Sequence, residues 1–215
     1  MGNSLDSCRN DINTLKNIFN SDIENIIHSF TDCYPEKEIK IFLKENKIQE
    51  DDIVLVYFSG HGKLIGKRVK NKMEMVSTWV NPDGSYVYSF IIDYILSQIS
   101  CKRIVLISDS CHSSGFGKYY TGKSPYIFIG SSSIISTSNE YNIPKGSQEY
   151  IPNSKTQSLG ILTYLFIDFH RDILYGNPDN IISLINTVYK KHKITKLPIV
   201  KLYSGDPFEI LYPGD

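Results

Sequence analysis

Two apolar runs, Ile53 to Phe58 (IVLVYF) and Ile104 to Ile107 (IVLI), constrain the fold most, because each breaks off abruptly into small polar residues. Branched and aromatic residues in succession, without polar alternation, are the pattern of strands covered on both faces, as in a parallel sheet. The first run is followed by Ser59-Gly60-His61-Gly62 and the second by Ser108-Asp109-Ser110-Cys111-His112-Ser113-Ser114-Gly115. Neither tail can continue a core, and both suit tight turns with exposed tips. In open parallel sheets the chemistry gathers where neighbouring strands end, so two such strands side by side would bring His61 and Cys111 together. An imidazole beside a thiol is a catalytic pair. That context lifts the two residues above a structural cysteine and a loop histidine.

The motifs SGHG at 59–62 and ISDSCHSSG at 107–115 resemble those of the metacaspases, the caspase-like cysteine peptidases of plants, fungi, protists and bacteria. Cys111 follows His61 by 50 residues, the separation expected in caspases, although the QAC motif of the animal enzymes is absent. The resemblance implies an α/β fold, a caspase-like three-layer sandwich whose mostly parallel central sheet carries helices on both faces. It also implies a single catalytic domain over residues 1–215, with a large segment at 1–116, a small segment at 125–215 and a linker at about 117–124.

The same resemblance assigns roles. Cys8, Asn10 and Asp11 match a Cys-x-Asn-Asp segment whose Asp lines the pocket for a basic side chain, and Asp109 matches the second carboxylate of that pocket. Lys118 and Lys123 lie where the family divides its two segments, which makes them candidate self-cleavage sites; an intact surface loop is the alternative. The family's first strand, normally in mid-sheet just before the Cys-x-Asn-Asp segment, has no counterpart upstream of Ser4. Truncation, a substitute element or a split sheet would each account for that, and unpaired backbone groups left buried would cost roughly 1–3 kcal/mol each.

A free thiol is only a few per cent ionised at neutral pH, so His61 is expected to manage the protons while Cys111 attacks a peptide carbonyl. The backbone N–H groups of Gly62 and Cys111 are the expected oxyanion donors. Asp11 and Asp109 together call for a cation, which a substrate Arg or Lys at P1 supplies, the Arg fork bidentately. Each carboxylate also has a structural reading, Asp11 as a complement to a helix dipole and Asp109 as a turn cap.

With Lys+Arg and Asp+Glu both at 23, the chain has no global field for nucleic acid or an anionic membrane. No apolar run of 18 or more and no export signal appear in it, so a cytoplasmic protein, monomeric and acting on peptide or protein substrates, is expected. Cys8, Cys33, Cys101 and Cys111 show neither zinc-ligand spacing nor a disulfide framework. No cofactor is expected to be required. Where metacaspases gather acidic residues for activating calcium, only Glu74 and Asp83 are present among Lys and Arg, short of the oxygen ligands a hard cation takes. The alternatives are an inactive caspase-like scaffold, a transpeptidase or clostripain-like relative, and a nucleotide-binding α/β module, which the lack of any phosphate loop disfavours.

Helical periodicity predicts helices over residues 10–19, 35–46, 85–99, 159–173 and 177–190. Strands are expected at 23–31, 53–58, 104–107, 126–130 and 197–203, with a basic loop or hairpin at 63–72 leading into a short ribbon near 73–76.

Overall fold

The computed structural model describes residues 5–22, 29, 31–132, 140–142, 158–191, 199–203 and 209–211. The two apolar runs form β1 (Ile53–Ser59) and β5 (Arg103–Asp109), which pair in parallel with Ser59 opposite Asp109. On the other side of β5 lies β6 (Tyr126–Gly130), also parallel, followed by antiparallel β9 (Ile199–Tyr203) and β10 (Glu209–Leu211). The sheet order is β1-β5-β6-β9-β10.

Side-chain parity along β5 makes the three layers. Val105 and Ile107 pack against α1 (Leu5–Asp22), α4 (Ile161–Tyr175) and α5 (Pro178–Lys191), through Leu15, Phe166 and Ile185 among others. Ile104 and Leu106 point the opposite way, towards α2 (Pro35–Glu45) and α3 (Ser89–Leu96), through Leu43, Ile92 and Leu96. Because side chains on a strand alternate faces, Tyr57 and Ile107 share the α1/α4 side, while Phe58 and Leu106 share the α2/α3 side. Ile104 to Ile107 are all within 1% of complete burial, as a strand between two helical layers requires.

A second sheet grows out of the end of β1. After His61, β2 (Gly62–Val69) runs antiparallel to β3 (Lys72–Val80), and β4 (Tyr86–Tyr88) adds a third strand. Lys70 and Asn71 both have positive φ, 46° and 66°, so the hairpin closes on a two-residue turn of the mirror type that matches strand twist. Trp79 anchors the hairpin. Its ring stacks between Phe58 at 4.3 Å and Phe116 at 4.6 Å, and its indole N–H donates to Ser108 Oγ at 2.9 Å. Such pairs are worth about 0.5–1.5 kcal/mol each beyond their buried area.

Several expectations need correcting. The first helix starts at Leu5 rather than near Asn10, so Cys8 is helical too and Asn10 and Asp11 lie in its second turn rather than at its start. Asp11 is past the first turn and only 1% exposed, which removes its reading as a dipole complement. The stretch expected to be helical from Ser85 begins with β4, whose Tyr-Val-Tyr pairs with β3, and the helix spans only Ser89–Leu96. The ribbon is a full hairpin. Two short strands, β7 (Glu140–Asn142) and β8 (Ser158–Gly160), and the edge strand β10 carried too few residues for a period to register. The strand expected at 23–31 falls outside the described residues, save Ser29 and Thr31, which lie in no strand. Among the described residues no strand pairs with the outer edge of β1, and no helix is long and apolar enough to cross a membrane.

Candidate active site

His61 lies two residues beyond Ser59 and Cys111 two residues beyond Asp109, the residues that face each other at the last rung between β1 and β5. Neighbouring strands lie about 4.8 Å apart, so the two tails leave the sheet side by side. Gly62 fixes how close they come. A Cβ at that position would overlap the carbonyl oxygen of Cys111 and sit 3.1 Å from Ser110 Oγ, so only glycine fits. The backbone beside His61 is thus pressed against the backbone of Cys111, with Cys111 half-buried and His61 exposed.

The ladder orients the backbone donors. Val80 N donates to His61 O at 3.0 Å, which makes 61 and 80 a hydrogen-bonded pair and leaves 62 and 79 as the intervening non-bonded one. Alternation therefore turns the Gly62 N–H away from β3.

The turn after the thiol is strained and heavily braced. His112 adopts left-handed backbone, φ 56° and ψ 30°, which costs a residue with a Cβ roughly 1–2 kcal/mol. Ser77 Oγ, wholly buried on β3, donates to the His112 carbonyl and accepts from Gly115 N at 3.0 Å. From the opposite side Ser132 Oγ and Ser131 Oγ donate to the Ser110 carbonyl at 2.9 and 3.2 Å, and Ser113 Oγ donates to Ser132 O at 3.1 Å. These serines belong to the Ser-rich stretch after β6; nothing local in the sequence tied Ser77 to the thiol.

Both predicted carboxylates lie on the α1/α4 side of the same sheet end. Ser59 Oγ donates to Asp11 Oδ2 at 2.6 Å, linking β1 to α1, and the Leu162 N–H at the start of α4 donates to Asp109 Oδ2 at 3.0 Å. Both carboxylates are buried, Asp11 at 1% and Asp109 at 6% exposure. Near both lies Tyr57, whose hydroxyl bonds to Thr163. Burial, followed by the nearby charges of Asp11 and Asp109, raises the Tyr57 phenol well above its ordinary range, so it stays neutral. Ser59 and Tyr57 were not singled out in the sequence, although their parity on β1 places both on this face.

The remaining candidates sit farther out. Lys118 is ion-paired to Glu74 at 2.6 Å, and the same Glu74 accepts from Tyr119. The flanking Gly117 and Tyr119 N–H groups both donate to the buried Asp93 of α3, at 2.8 and 2.9 Å. Lys123 is exposed. Asp83 accepts from Ser85 and Tyr34. Glu74 and Asp83 are thus engaged separately, and no cluster of three or more His, Cys, Asp or Glu side chains gathers among the described residues.

The sequence profile of the caspase domain matches residues 1–189. The chain belongs to the caspase-domain family. Its fold is similar to the crystal structure of protein GSU0716 from Geobacter sulfurreducens, with 15% identity, coverage of 80% of this chain and 74% of that one, and a TM-score of 0.52. No curated protein matches the chain. The caspase-domain family comprises cysteine peptidases, and the chain has the family's α/β architecture, with β1, β5 and β6 paired in parallel.

Proposed function

We propose that this caspase-domain protein is a cysteine endopeptidase of metacaspase type that hydrolyses peptide bonds after Arg or Lys. Cys111 Sγ, deprotonated by His61, attacks the scissile carbonyl carbon, and the carbonyl π electrons move onto oxygen. The resulting oxyanion faces the N–H groups of Gly62 and Cys111. Collapse breaks the C–N bond, His61 delivers its proton to the leaving amine, and the acyl-enzyme is hydrolysed by water that His61 deprotonates in turn.

The observation that carries this reading is the packing of Gly62 onto Cys111 one rung beyond a buried carboxylate pair. A buried pair of carboxylates favours a cation, and Asp11 and Asp109 are fixed from opposite sides by Ser59 and by the first turn of α4. A P1 guanidinium or ammonium entering from the thiol would be steered towards them, whereas a P1 aspartate would be repelled. No cofactor step is needed.

The test is covalent labelling with a peptidyl-arginine chloromethyl ketone, read by mass spectrometry. Modification of Cys111 in the native chain, lost in His61→Ala and absent with the aspartyl reagent, is expected. No modification of Cys111 by any reagent would leave a caspase-like scaffold in place of an enzyme.

A further inference from the structure

The β2–β3 hairpin starts at Gly62, beside His61, and is out of keeping with the rest of the chain in charge. Residues 62–80 hold five basic side chains, Lys63, Lys67, Arg68, Lys70 and Lys72, against one acid, Glu74, in a protein with 23 of each sign. Glu74 does little to neutralise them, because Lys118 and Tyr119 already hold it. Lys63 and Lys67 lie over the rings of Tyr86 and Tyr88, at 5.6 and 4.9 Å, which fixes their stems while leaving their charge.

Cross-strand register supplies the second half of the observation. Ser77, braced under the nucleophile turn, stands opposite Leu64; the next pair outward on that face is Gly66 with Met75, and the next is Arg68 with Met73. Met75 is 52% and Met73 70% exposed. The face that begins beneath Cys111 therefore continues outward as an apolar strip with Arg68 beside its end, while Lys63, Lys67 and Lys72 lie on the hairpin's opposite face and Lys70 at its tip. An extended chain along the hairpin would meet methionines on one side and positive charge on the other. Methionine is a flexible, polarisable contact surface suited to varied apolar side chains.

We propose that this hairpin is a docking finger for an acidic, apolar stretch of the protein substrate, located in sequence beside the bond to be cut. The inference rests on the peptidase reading and extends it from the P1 residue to the substrate's flank. Charge complementarity argues for the acidic residues and the two methionines for the apolar ones. Continuity with the Cys111 turn through Ser77 argues that the partner is the chain being cleaved. A phosphate backbone would use the charges and leave Met73 and Met75 without a role.

Binding of labelled peptides to the full chain carrying Cys111→Ala, read by fluorescence anisotropy, tests this. Two peptides share one Arg and differ only in flank, alternating Glu and Leu in one and Gln and Ser in the other. The acidic, apolar flank is expected to bind about tenfold tighter. That gain should shrink as salt rises from about 50 to about 500 mM. It should vanish in Lys67→Glu/Arg68→Glu/Lys70→Glu and, separately, in Met73→Ser/Met75→Ser, with the neutral-flank peptide unaffected and the thermal midpoint checking folding of each. Equal binding of the two peptides, or a gain surviving both variants, overturns the proposal. So does a duplex oligonucleotide whose binding depends on the finger while the peptide flank makes no difference. If flank-dependent binding persists but the native chain cleaves no Arg peptide, the finger stands and the peptidase reading falls.

Discussion

Gly62 packs so closely on the carbonyl of Cys111 that no side chain can be placed between them. That contact sets the spacing between the histidine loop and the nucleophile turn, and it leaves the Gly62 N–H directed away from its own hairpin. Gly62→Ala must push the two loops apart. We expect kcat to fall about 10²–10³-fold, the range for losing an oxyanion donor, and the thermal midpoint to fall with it because the clash is with backbone, checked by kinetics and calorimetry on the same preparation.

Asp11→Asn and Asp109→Asn should each reduce kcat/KM for Arg and Lys substrates by about 10²–10⁴-fold, the 3–5 kcal/mol attached to stripping one partner from a buried charge pair. Ser59→Ala removes a single hydrogen bond to Asp11 and should cost about tenfold at most. Steady-state kinetics on one short Arg peptide ranks the three.

Ser77 is a positioning residue: it holds the strained His112 peptide and Gly115 without reaching the substrate. Ser77→Ala should lower kcat roughly tenfold with KM for a short Arg peptide unchanged, since about one hydrogen bond's worth of turn order is lost. Titration with the arginyl ketone should show a slower inactivation rate but full stoichiometry. A purely structural role would instead move the fraction of active molecules.

Glu74 is held below the usual carboxylate range, chiefly by its hydrogen bond from Lys118 and then by Tyr119, while Lys118 is raised by the same bond. A carboxylate lowered on folding contributes stability above its unfolded pKa and loses it as pH falls through the folded value. A raised lysine contributes below its unfolded pKa and loses it as pH rises through the folded one. The clamp is thus intact from mildly acidic to mildly alkaline pH and opens below the carboxylate range, where hydrogen exchange at Lys118 and Tyr119 should accelerate beyond its intrinsic pH trend. At neutral pH, Glu74→Ala should speed cleavage after Lys118 by added trypsin roughly two- to fivefold, the reach of a surface ion pair, with Lys123 unaffected. Self-processing, if it occurs, is expected at the exposed Lys123 before Lys118.

Much of this was legible in the residues because the decisive elements are buried strands. Ile53–Phe58 and Ile104–Ile107 have no polar alternation, and their register follows from both ending at one sheet edge. The partners that cross the molecule were not legible. Ser59 to Asp11 spans 48 positions, Ser77 to His112 spans 35, and Leu162 to Asp109 spans 53, and no local period encodes such contacts. The extension of the first helix back to Leu5 was hidden because the apolar residues at helical spacing, Ile12, Leu15, Ile18 and Phe19, begin only beyond Asn10, and Leu5 alone gives no period. The strand Tyr86–Tyr88 was read as helix because three residues carry almost no periodicity and only pairing with β3 decides them.

The most direct measurement is hydrolysis of three peptides identical except for Arg, Lys or Asp at P1, with and without calcium, using Cys111→Ala as the control. Turnover of the Arg and Lys peptides, none of the Asp peptide and none by the variant is the expected result. Cleavage of the Asp peptide alone, or equal turnover by the Cys111→Ala protein, would contradict it.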